Sequence, residues 1–144
     1  MTLPKRSSKV MIVPCSGIGK TFGSVSRAAA YDIVEDLRPA CTQLVPLAML
    51  VLGDESARAA MQAYPAITID GCKLACAAKM VRQSGGTIAQ EIAVLDVYRR
   101  HKDFRPDGIA ELNEPGCKLA RALAEEVAAM VDALAGAEQA GRNG

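Results

Sequence analysis

A single α/β domain, three-layered and Rossmann-like, with about four mostly parallel strands and helices on both faces, is the fold this sequence predicts. Three observations carry that expectation. Short apolar runs rich in β-branched residues recur along the chain, a glycine-containing loop follows the clearest of them, and a helix-favouring segment follows each loop. Such alternation builds a parallel sheet whose functional groups lie in loops at the strands' carboxyl ends.

The elements follow in order. Lys9–Pro14, KVMIVP, reads as a buried strand, and the loop after it leads into a helix over Ser24–Leu37, with a serine at its start and Arg38-Pro39 at its end. Thr42–Val45 is the second strand. Pro46 then starts a loop, because a central strand cannot spare the amide. Gly53–Ser56 caps a short helix running to Tyr64. Ala66–Ile69 is the third strand, Asp70-Gly71 a turn, Cys72–Gln83 a helix, and Ser84-Gly85-Gly86 its stop. Thr87–Val94 reads as a fourth strand. Beyond Asp96 the chain is polar and punctuated by proline and glycine, until a long amphipathic helix over Pro115–Leu134. Residues 1–8 and 136–144 read as flexible ends around a domain at 9–135. Tyr31 and Met80 fall at core-facing positions.

Composition narrows the function classes. The chain's 144 residues suit one domain, and 50% hydrophobic content supplies a core. Seventeen basic against sixteen acidic residues give a net charge of +1, without blocks of one sign, which argues against nucleic acid and anionic membranes as partners. Aromatics at 3% leave little for base stacking. The first apolar run is too short for a signal peptide and no run reaches membrane-spanning length, so the expected address is cytoplasmic. Five cysteines, an odd number, then point to metal or redox chemistry instead of a disulfide framework.

The thiols have an expected meeting place. In Ala66–Met80, AITIDGCKLACAAKM, the turn lies at a strand's carboxyl end, and a helix amino terminus opening on Cys72 would favour its thiolate form. Cys76, four residues on, shares that helix face. Cys15 follows the first strand at the same edge. Asp70–Ala77, DGCKLACA, is echoed by Pro115–Ala122, PGCKLARA, which sets Cys117 just inside another helix start. Cys41 precedes its strand and reads as a small buried residue at the opposite edge. Four converging thiolates with Zn–S bonds of ~2.3 Å would make a tetrahedral zinc site, so Cys15, Cys72, Cys76 and Cys117 are the candidate metal ligands. An iron–sulfur cluster uses the same donors.

The loop PCSGIGKT, Pro14–Thr21, sits where a phosphate-binding loop would. Pro14 stands in place of that pattern's first glycine and lacks the amide, which disfavours nucleotide hydrolysis. Gly17 and Gly19 could still fold backbone amides around an anion, with Lys20 and Thr21 beside it. A glycine-rich turn without a ligand is the plainer reading. The single histidine, His101, in RRHKD, reads as a solvated surface residue, and no Ser/His/Asp triad, HExxH or EF-hand loop is present.

PCSGIGK and IDGCKLACAAK together resemble the DGC domain family, named for its Asp-Gly-Cys motif, proposed to bind zinc through four cysteines and unassigned in function. The resemblance runs from about Val10 into the final helix. It implies metal ligands at Cys15, Cys72 and Cys76, with Asp70 and Gly71 shaping the turn. The family's remaining cysteine falls near the end of the second strand, where this chain has Leu-Val-Pro46-Leu. Cys117 or Cys41 replaces it, or the site has three protein thiolates. The expectation is a small cytoplasmic metal-binding protein. The alternative is a thiol redox or sulfur-transfer enzyme using Cys72 and Cys76, and the third reading is a nucleotide- or anion-binding module. A small anion, a protein partner or a second copy packed on the alanine-rich helix faces stay open.

Overall fold

The run Val10–Pro14 forms β1, buried along its whole length in the computed structural model, which describes residues 9–142. With β2 (Thr42–Leu44), β3 (Ala66–Asp70) and β4 (Ile88–Ala93) it makes one sheet in the order β2-β1-β3-β4, every pair parallel. Helices α1 (Thr21–Tyr31), α2 (Leu47–Leu52), α3 (Glu55–Ala63), α4 (Cys76–Gln83), α5 (Val94–Arg100) and α6 (Glu114–Arg142) cover it. This is the predicted α/β fold.

Alternation along the strands divides the core in two. Val10, Ile12, Ile67 and Ile69 pack with α1, α5 and α6, whereas Met11, Val13 and Ala66 pack with Leu50 of α2, Met61 of α3 and Val81 of α4. Burial on both faces is why β1 and β3 are apolar throughout. On α6 the fully buried Leu119, Leu123, Val127 and Val131 recur every four residues, one stripe of a helix. Each such side chain contributes about 1.5–3 kcal/mol on burial. The exposed pairs Arg121–Asp36 and Arg38–Asp132, at 2.6 and 2.7 Å, are screened by solvent and add little beside that burial, so the stripe holds α6 in place. No described helix is long and apolar enough to cross a membrane.

Several boundaries differ from expectation for physical reasons. Helix α1 starts at Thr21, and Ser24, expected as its cap, lies inside it with Oγ donating to the carbonyl of Ile109. It passes into a π-helical turn, Asp32–Leu37, before Arg38. Pro46 opens α2 instead of a loop: its φ of −65° and missing amide suit the position before a first helical turn. Strand β2 stops at Leu44, although Val45 N–H still donates to Ile12 O at 3.0 Å. The cap of α3 is Asp54, whose carboxylate accepts from Ala57 N. Val94 belongs to α5, not to β4. Helix α6 continues past Leu134 into the stretch expected as a tail; residues 1–8 and 143–144, expected to be flexible, lie outside the described residues. Tyr31 is 39% exposed, with the Arg27 guanidinium 5.7 Å from its ring centre, and so is not core; Met80 is half-buried against the α2–α4 layer.

Candidate functional site

From β1 the chain crosses to β2 on one side and returns to β3 on the other, so the strand order reverses between β1 and β3. The crevice outside their carboxyl ends is where open α/β sheets bind ligands. Pairing of Pro14 with Ile69 brings Cys15 beside Asp70, and Cys15 N–H donates to Ile69 O at 2.9 Å. The same carbonyl accepts the buried Ser26 hydroxyl at 2.7 Å, tying α1 to β3. Ser26→Ala should therefore lower stability by only about 1 kcal/mol in urea unfolding, because Ile69 O keeps a partner.

Three glycines set the edge's shape. A Cβ on Gly71 would lie 2.6 Å from Gly23 N and 2.7 Å from Phe22 C, both backbone. Gly17, at φ +70°, lies against Gly23 and Arg27, where a Cβ would meet Arg27 Cβ at 2.8 Å. The Cys-Ser-Gly loop and the Asp-Gly-Cys turn thus both press on the first turn of α1. Gly17 serves that packing; Gly19, at φ +92°, and Lys20 lie at the exposed end of the loop. Lys20 occupies the position before α1 and Thr21 is its first residue.

Asp70 is the hinge of the second motif. Only 5% exposed, it accepts from Ala77 N at 2.8 Å and from Ala78 N at 3.2 Å, and so caps α4 from the end of β3. Burial raises its pKa above the ordinary aspartate value, against the lowering pull of those two amides. This cap corrects the expectation that the helix opens at Cys72. Helix α4 starts at Cys76, and Cys72–Ala75 form a turn closed by Ala75 N to Cys72 O, with Ala75 left-handed at φ +51°. The helix amides expected to favour a Cys72 thiolate go to Asp70.

All five cysteines are free. Cys15 and Cys72 are half-buried, Cys76 is exposed as the first residue of α4, and their backbones all border Asp70 or its turn. Cys72 faces a cavity shared with Phe22, Lys73 and Asp96, whereas Cys15 lines a different one. Cys117 is exposed in the first turn of α6, its Sγ 3.9 Å from Leu112 O. Cys41 is half-buried, and its carbonyl accepts from Val10 N at the sheet's amino edge. His101 stacks on Phe104 at 5.7 Å and stands 3.8 Å from the Glu126 carboxylate, more enclosed than the solvated residue expected. Free soft thiols fit zinc chemically. Their arrangement does not: among the described residues no three His, Cys, Asp or Glu side chains group closely enough to hold a metal ion.

Sequence reasoning missed Gly23, Ser26 and Arg27, the α1 residues that receive both motifs. A glycine inside a helical pattern was the available signal, since it often marks a close approach.

No curated protein and no solved structure matches the chain. The DGC domain matches over residues 11–115, from within β1 to the start of α6, which takes in both cysteine motifs, and the chain belongs to the DGC domain family.

Proposed function

We propose that this protein binds zinc through Cys15, Cys72 and Cys76, with Cys117 the candidate fourth donor from the start of α6. The observation that carries the reading is the β1–β3 register together with the Asp70 cap, which gather the backbones of three soft donors around one turn. The thiols stand apart in the present arrangement, so loading requires the Cys72–Ala75 turn to reset. That turn lies outside both strand and helix, whereas Cys76 is the first residue of α4 and Cys15 is tied by its N–H to Ile69 O. A reducing cytoplasm, the compartment we propose, keeps the thiols available.

The test is metal content after purification without oxygen, chelator or affinity metal. We expect about one zinc per chain. The count should be lost in Cys15→Ser, Cys72→Ser and Cys76→Ser and retained in Cys41→Ser, while Cys117→Ser decides between four thiolates and three. Iron with sulfide would keep the ligands but replace zinc by a cluster. A metal-free protein with a reversible Cys72–Cys76 disulfide would favour the thiol redox reading instead.

A further inference from the structure

The cavity that Cys15 lines does not belong to the Asp-Gly-Cys turn. It has a volume of about 680 Å³ and opens outside the carboxyl ends of β1 and β2, between α1 and α2. That volume lies in the range of small-molecule sites, roughly 300–1,000 Å³. Its walls are almost wholly apolar, from Pro14 and Leu44 at the strand ends to Ile18, Val51 and Leu52 at the rim. Those three rim residues are 75%, 65% and 79% exposed. Large aliphatic side chains left in water around one concavity mark a surface that something covers.

Charge identifies the occupant. Arg27 is the one charged residue in the wall, and among the described residues it has no carboxylate partner. Its side chain is exposed at the wall. Its stem lies against Gly17, and its guanidinium sits 5.7 Å from the Tyr31 ring centre. A guanidinium positioned in this way offers a two-pronged donor to a carboxylate. We propose that this cavity binds a small organic acid with an apolar body, its carboxylate on Arg27 and its hydrocarbon between α2 and the Pro14–Ile18 loop. Cys15 stands in the same wall, so the occupant would lie against that thiol. The inference does not depend on metal at the site.

Octanoate is a suitable probe, with octylamine as the control of opposite charge, followed by backbone NMR of the full chain. Expected is saturable octanoate binding with shifts at Cys15, Ala30 and Val51, and none of this with octylamine. Arg27→Gln should weaken octanoate by at least about tenfold, the loss of one charge-assisted hydrogen bond, while Arg27→Lys weakens it less. Ala48→Trp, at an exposed position in the wall, should block binding while leaving the remaining spectrum in place. Any of three results would overturn the proposal: no saturable binding, equal binding of octanoate and octylamine, or octanoate affinity unchanged in Arg27→Gln. Ultracentrifugation adds a fourth, a dimer broken by Leu52→Glu, which would make a second copy the occupant.

Discussion

Gly71→Ala should lower the free energy of unfolding by about 3 kcal/mol or more, read as a drop in the urea midpoint. A new methyl group there meets Gly23 N, Phe22 C and Gly23 Cα at 2.6 to 2.8 Å. A flexible side chain could swing away from such a contact. These atoms are the backbone of the first turn of α1, which the buried Ser26–Ile69 hydrogen bond holds on the same strand. Either α1 lifts from β3 or the Asp70 turn shifts, and both open the core. Gly19→Ala is the informative comparison, since open space surrounds it and only its positive φ resists substitution. Its cost should be about 1 kcal/mol. Equal midpoints for the two variants would mean that the loops do not press on α1.

The second large effect is expected at Asp70. Asp70→Ala removes the acceptor of two buried amides, Ala77 N and Ala78 N, at about 1–3 kcal/mol for each unsatisfied donor. A total near 3 kcal/mol in urea unfolding is expected, with earlier hydrogen exchange in α4 than elsewhere. Asp70→Asn keeps one acceptor and should cost less. The two variants also separate the carboxylate's role from its charge. Burial, the dominant influence, raises the folded-state pKa, so the native protein holds this proton more tightly than the unfolded chain. Stability from this group is then fully present below the ordinary aspartate value and declines as pH rises through the folded value. Asp132, held below the ordinary range by its hydrogen bonds with Arg38, acts in the opposite sense. The difference between wild type and Asp70→Asn isolates Asp70, and it should shrink with rising pH across that window. A difference that grows would mean that the helix amides outweigh burial.

The strands were legible because residues such as Val10, Ile12, Ile67 and Ile69 must be apolar in a sheet covered on both faces. Their shared carboxyl edge followed from strand and loop order alone. The start of α4 was not legible, because its cap comes from a strand rather than from the residue before the helix: composition cannot show that Asp70 reaches past six residues to Ala77 N. Helix α2 was hidden for a related reason, Pro46 being read as a strand breaker when it also suits a helix start. The glycine contact of Gly71 with Gly23 joins residues far apart in the chain, and only the fold reveals it. The cysteines show both sides of this. Register placed Cys15 near the Asp-Gly-Cys turn as expected, but the turn at Cys72–Ala75 leaves the thiols of Cys15 and Cys72 in separate cavities.

The most direct test of the zinc proposal is thiol-by-thiol alkylation followed by mass spectrometry, with zinc and after its removal by chelator. Zinc should protect Cys15, Cys72 and Cys76 together while Cys41 stays as reactive as before, and chelation should expose all three at once. Five thiols that alkylate at the same rates with and without zinc would contradict the account.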